Sequence, residues 1–427
     1  MALAMLPGGG GAGSEHCEVL VVGAGPAGAD LAGQIARAGV DVILVDQLED
    51  LSHAAFSSAA MPLEAVERFG IPAEAVAARW SRWRILGPAA ARRDWTAGHP
   101  LGVVLDFGAL RCWLADVCRS AGGRVRLGLR ALECRRQGPV METLLRAPGG
   151  RTRSVRSLWV VDATGHRRAL LGTPSRHGRR PPPEGVLVEA VGLEWLVALP
   201  LPAWRHWADA LTFCLGSDWV SQGYGWVFPM SPGQLKIGVC RYCDPTRSQP
   251  SLDRLQRSLV DRLAQAGEMG PLRVLDRHGG RVASSVRRRE PHLREGVIGL
   301  GDAVSTANLL GGEGIRHALT SSRVLAPLLV EQLGGDRRRG SGGEPGPLRR
   351  YPRRLRRALG WRWSMSGRIA RRTWARLHGP AGDERLERVL QGLEVRRAED
   401  LSALLFDYRF ERYGLRSLPY LLGWRRT

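Results

Sequence analysis

The sequence predicts an α/β protein with three parts: a nucleotide-binding domain built on a parallel sheet, a second sheet-rich domain, and a basic helical C-terminal region. Three observations predict it. A strand, a glycine turn, a helix and a second strand follow one another between residues 18 and 46. A second glycine cluster, 301–314, follows another short apolar run far downstream. Between them, residues 185–245 carry β-branched and aromatic runs. With 427 residues, 44% of them hydrophobic, the chain can bury more than one core.

The N-terminal stretch, MALAMLPGGGGAGSEHCEV, lacks a basic start, and its apolar part ends at Pro7. It reads as a flexible tail over 1–16, not as a signal peptide, which places the chain in the cytoplasm. Glu18-Val-Leu-Val-Val22 is the first strand, and Val40 to Val45 the second, ending at Asp46. Gly23-x-Gly25-x-x-Gly28 lies between them at the start of a helix. Gly23 permits the tight turn, Gly25 lets a diphosphate approach the backbone, and Gly28 lets helix and strand pack closely. The helix start supplies free N–H groups and partial positive charge. Pro26 and Ala27 belong to the same turn. Asp46, with Gln47 beside it, is placed to hold ribose hydroxyls.

From Leu51 to Trp95 the pattern is irregular, with helical pieces such as MPLEAVERFG, and a helical insertion is expected over about 51–100. Phe107 to Ala121 reads as an amphipathic helix. Leu158-Trp-Val-Val161 is a strand that runs into Asp162-Ala-Thr-Gly165. RHGRRPPPEG marks a crossing between domains. Leu252 to Ala266 is a second amphipathic helix. Gly296-Val-Ile-Gly-Leu300 then leads into GDAVSTANLLGGEGI and a helix through about Leu333.

Three segments far apart in sequence suit a long dinucleotide. FAD needs a grip at each end, and this pattern supplies one. The adenosine end would rest on the first unit. Asp162 and Gly165 would approach from the next strand. Gly301 and Asp302 would meet the ribityl chain. Gly311, Gly312 and Gly314, with the helix start at Ile315, would meet the diphosphate and the polar edge of the flavin.

Together these segments resemble the FAD-dependent geranylgeranyl reductase family, within the para-hydroxybenzoate-hydroxylase-like flavoproteins. The likeness spans roughly 18–333 and rests on GxGxxG, DATG and the GDA…GGEGI…A stretch. Tyr224-Gly-Trp-Val-Phe-Pro229 is similar to the family's Y-x-W-x-F-P motif. The resemblance implies a Rossmann-like FAD-binding domain, a β-sheet substrate domain, and reduction of C=C bonds in a polyprenyl or other apolar lipid. It implies that Tyr224, Trp226 and Phe228 line an apolar substrate cavity, with Tyr224 a candidate acid. The reductant would be NADPH or a small electron-transfer protein. A monooxygenase or halogenase, a lycopene-cyclase-like enzyme and a non-catalytic flavin-binding protein stay open as alternatives. His166 and His317 read as hydrogen-bonding structural residues.

The chain is strongly basic, with a formal charge of +21, and Lys236 is its only lysine. From 336 to 378 fourteen arginines face only Asp336 and Glu344. With Trp361, Trp363 and Trp374 interleaved, residues 349–378 suit an anionic membrane surface better than nucleic acid. Seven scattered cysteines suit a reducing compartment, and no metal site is expected. Nothing in the sequence fixes an oligomeric state. The expected organisation is a tail (1–16), an FAD domain (17–180 and 285–335), a substrate domain (181–284), a linker (336–348) and a basic helical region (349–427).

Overall fold

The computed structural model describes residues 15–53, 57–172, 187–244, 246–266, 269–285, 291–339 and 346–411. The expected N-terminal tail, apart from its last two residues, and the 176–185 crossing lie outside them, as do residues 340–345 of the expected linker.

Strand Glu15–Val22 is buried from Cys17 onward, and its second half, Val19–Val22, is the continuous apolar run expected of a strand buried on both faces. It pairs in parallel with Val42–Val45 on one side and with Thr152–Asp162 on the other. Val297–Gly299 adds to the far side of Thr152–Asp162, again in parallel. All four strands therefore end level, at Val45, Val22, Asp162 and Gly299. Helices Pro26–Arg37, Phe107–Ser120 and Ile315–Arg339 pack on this sheet. Arg124–Arg126 closes one edge, and the hairpin of Arg130–Gln137 and Val140–Arg146 extends Thr152–Asp162.

The second sheet has seven strands in the order 273–285, 187–198, 234–242, 223–229, 210–215, 82–86, 92–96. Helix Leu252–Gln265 packs on one face through Leu259 and Leu263. The C-terminal helices cover the other face, where Trp374, Leu386, Leu390 and Leu401 share a core with Trp83, Tyr224, Trp226 and Phe228.

Two expectations need correction. Among the described residues the 51–100 stretch holds one α-helix, Leu63–Phe69, and two 3₁₀ turns, while Arg82–Leu86 and Arg92–Thr96 complete the second sheet. Its arginines hid the strand pattern: Arg84 is 1% exposed, which is tolerable only because Asp94 pairs with it at 2.9 Å. The long helix does not stop near Leu333 but runs to Arg339. Gly334 and Gly335 look like a stop, yet Asp336 is buried and accepts from the Trp159 indole at 2.9 Å, and Arg337 pairs with Glu18. The basic region also contributes to the core. Helix Tyr351–Arg376 turns Trp363 and Trp374 inward and leaves only Trp361 exposed, at 64%.

Candidate flavin-binding site

The carboxyl edge of a parallel sheet is where open α/β folds bind ligands, and here it gathers the motifs. Gly23 adopts φ +108°, and a Cβ there would collide with the Ala163 carbonyl. A Cβ on Gly28 would come within 2.9 Å of the Ala163 Cβ. The first glycine turn therefore lies directly against the DATG turn. A Cβ on Gly25 would meet nothing within 4 Å, so this residue opens on the groove. Gly301 (φ +63°) brings the third segment in: its Cβ would stand 2.8 Å from that of Ala27. All three motifs thus meet around the start of helix Pro26–Arg37.

Asp46 reaches from its strand end to the first turn. One carboxylate oxygen accepts from the Ala24 amide at 2.7 Å and the other from Leu48 at 2.9 Å, which leaves acceptor capacity facing out. Gln47 beside it is exposed. Asp162 does something other than the sequence reading gave it. It is fully buried and accepts from the Thr164 amide and hydroxyl and from the Leu170 and Leu171 amides. Its carboxylate folds the turn and is not offered to a ligand. Gly165 (φ +68°) is open, with nothing near its Cβ direction.

Asp302 accepts from the Thr306 hydroxyl at 3.1 Å. Burial pushes its carboxyl above the usual aspartate range, against that hydrogen bond. Gly312 (φ +68°) lies under the Tyr224 hydroxyl, and Gly311 beside the Leu405 carbonyl. Gly314 and Ile315 begin the long helix, with the Ala318 amide bonded to the Gly314 carbonyl at 2.8 Å. Burial holds the Tyr224 phenol well above the ordinary tyrosine range, and its neighbour Cys240 adds to that shift.

The sequence reading missed what holds this second loop. Glu313 is buried, and Arg316 grips it at 2.6 and 2.8 Å. His317 lies 3.4 Å away, and the Tyr408 hydroxyl donates to it at 3.1 Å. These cations outweigh burial and hold the Glu313 carboxyl down to about 2. Arg316 also donates to the Phe406 carbonyl, and Trp374 and Tyr242 both donate to that of Leu309. Glu313 stood in the GGEGI motif itself; Tyr408 carried no local signal. His317 is the structural residue expected of it.

The groove fits FAD on its own geometry. Backbone at Gly25 faces open space, two turns lie against the first within side-chain contact, and a half-satisfied acid stands at the end of the second strand. A fold and site of this kind define a flavin-dependent oxidoreductase. The comparisons agree: the model of the FAD binding domain family matches residues 16–341. The chain belongs to that family and is an FAD-dependent oxidoreductase of geranylgeranyl-reductase-like type. It is 26% identical over 351 residues to a digeranylgeranylglycerophospholipid reductase of Haloferax volcanii, covering 78% of this chain and 80% of that one. It is 27% identical over 340 residues to a menaquinone reductase of Mycolicibacterium smegmatis, covering 74% and 77%. A geranylgeranyl bacteriochlorophyll reductase-like structure from Thermoplasma acidophilum shares the fold, with a TM-score of 0.77 at 19% identity over 96% of this chain and 100% of that one. Among the described residues no helix is long and apolar enough to cross a membrane.

Proposed function

We propose that the protein reduces C=C bonds of a polyprenyl or other apolar lipid. The observation that carries this reading is the row Tyr224, Trp226 and Phe228, on one face of the strand Gly223–Pro229, with the Tyr224 hydroxyl resting on Gly312. An aromatic wall beside the flavin loop suits a substrate with no polar handle. The relatives named above as reductases act, by those names, on a lipid with isoprenoid chains and on a quinone.

Bound FAD would supply the hydride chemistry. Gly23, Gly25, Pro26, Ala27 and Gly28 would take its diphosphate at the helix start, and Asp46 and Gln47 its adenosine ribose. Gly165, Gly301 and Asp302 would border the ribityl chain. Gly311, Gly312, Gly314 and Ile315 would meet the flavin's polar edge. Tyr224, kept protonated by burial, is the acid on this face. NADPH or a small electron-transfer protein would reduce the flavin.

Helix Tyr351–Arg376 exposes Arg353, Arg354, Arg356, Arg357, Arg368, Arg371, Arg372 and Arg376 around Trp361. This face would rest on an anionic bilayer that holds the substrate, making the protein a cytoplasmic enzyme peripheral to a membrane.

The test is anaerobic. The purified protein is loaded with FAD, reduced with dithionite and mixed with a geranylgeranyl lipid or a menaquinone. Reoxidation with product two hydrogens heavier supports the proposal. Failure to bind FAD, or reoxidation by oxygen alone, rejects it, and substrate-dependent oxygen uptake would mark a monooxygenase instead.

A further inference from the structure

Among the described residues two arginines are buried, Arg84 at 1% exposure and Arg111 at 7%. They are compensated differently. Arg84 pairs with the Asp94 carboxylate at 2.9 Å, which is how a buried charge offsets its lost hydration. Arg111 has no carboxylate within ion-pair distance among the described residues. One of its terminal nitrogens donates to the carbonyls of Leu51 and, at 2.6 Å, of His53. Its Nε is buried and has no partner. The Arg111 Cζ lies 5.2 Å from the centre of the Phe107 ring, which covers one side of the cation. Burial holds the guanidinium below the ordinary arginine value; Asp46 opposes that shift most, then Cys112 and Asp50.

Helix Phe107–Ser120 and the turn that follows Asp46 set the place of this cation. A Cβ on Gly108 would lie 2.7 Å from the Ser52 carbonyl oxygen, so the turn passes directly over the first residues of the helix. Arg111 stands about one turn further along and holds Leu51 and His53 from below. Asp46, at the head of the same segment, accepts from the Ala24 amide of the first glycine turn at 2.7 Å. The cation therefore lies on the Asp46 side of the site. Asp46 is the residue that would take the adenosine ribose, and in a dinucleotide that same ribose carries the first phosphate. A guanidinium offers a planar fork of N–H donors that matches phosphate oxygens.

We infer that Arg111 is the counter-ion of the cofactor's diphosphate on its adenosine side, a binding residue outside all three glycine motifs. The inference rests on the reading of this site as the FAD site. The first turn of helix Pro26–Arg37 carries no charged side chain, so its N–H groups and dipole offer the diphosphate only partial charge. Arg111 adds a full one. In the empty protein that charge is dehydrated without a carboxylate to offset it, and a bound phosphate supplies the missing partner. The Leu51–His53 turn hangs on the same guanidinium, so its order is coupled to the occupancy of the site.

The test uses full-length protein freed of flavin, with FAD, ADP and adenosine as probes. Affinities are read by calorimetry, and that for FAD also by quenching of flavin fluorescence. In Arg111→Met, FAD and ADP should bind about tenfold or more weaker, while adenosine stays within about twofold of wild type. Arg111→Gln, whose amide can still donate to a carbonyl of the turn, should lose the ADP preference in the same way, which separates the missing charge from a loosened turn. Arg111→Lys, which keeps the charge without the fork, should recover part of the preference. Wild-type ADP binding should also weaken more steeply with added salt than that of Arg111→Met. An ADP-to-adenosine ratio unchanged in both neutral variants overturns the inference and makes Arg111 a fastening for the 51–53 turn alone. FAD bound equally by wild type and both neutral variants also overturns it, and leaves the flavin site standing. Wild-type protein that binds neither FAD nor ADP rejects the flavin site and this assignment with it.

Discussion

The two glycine loops are held by different physics. The first is fixed by contact. Gly23 and Gly28 lie so close to Ala163 that only hydrogen fits, and the constraint is complete within one turn and its neighbouring strand. The second is fixed by charge. Glu313 is locked by Arg316, His317 and Tyr408, the last from a segment near the end of the described chain. A sterically fixed loop fails abruptly when a side chain is added. A charge-fixed loop fails by degrees, with pH and with each lost partner.

Substitutions can break this contrast at its extremes. Gly23→Val should have the largest effect. It combines a β-branched residue at φ +108° with a collision at the Ala163 carbonyl, and flavin absorbance per purified protein should fall at least about tenfold. Glu313→Ala comes next. It strands a buried arginine, and removing one partner of a buried pair costs about 3–5 kcal/mol, readable as a lowered denaturation midpoint. If Glu313→Ala melts like the wild type, the second loop is not held by charge.

Acid sharpens the comparison. The folded Glu313 pKa lies below its ordinary value of 4.5, at about 2, so its contribution is full above pH 4.5 and lost as pH falls toward 2. Wild-type stability should drop across that window, and Glu313→Gln should show a shallower drop. Tyr408→Phe removes one hydrogen bond to a charged group and should cost about 1.5–3 kcal/mol, with earlier proteolysis after residue 405. The smallest effect belongs to Trp361→Ala. At 64% exposure its stability change should stay within about 0.5 kcal/mol, while binding to anionic vesicles should weaken. Equal flotation of variant and wild type would detach this helix from the membrane reading.

The same contrast explains what was legible in the sequence. The first loop could be read because its causes are local: strand, glycine spacing, helix and Asp46 lie within thirty residues. The DATG turn and Gly301–Gly314 were legible as motifs, and the structure brings them to one place. Asp162 was misread because its partners, the Leu170 and Leu171 amides, carry no mark in their side chains. The strands at 82–86 and 92–96 were hidden because a paired, buried Arg84 looks like a surface residue in one dimension. In the C-terminal region arginine dominates the composition and suggested a membrane-facing side. Leu355 before the kink at Gly360, and Trp363, Ala370 and Trp374 after it, nonetheless mark its buried positions. Composition describes the exposed side of such a helix, and spacing describes the side that decides the fold.

The segment that closes the second loop is made late. Phe406 and Tyr408 leave the ribosome only after the whole sheet architecture has been synthesised, and until then Glu313 and Arg316 lack their lock. A nascent chain therefore carries the Glu313–Arg316 pair without these two contacts until residue 408 has emerged.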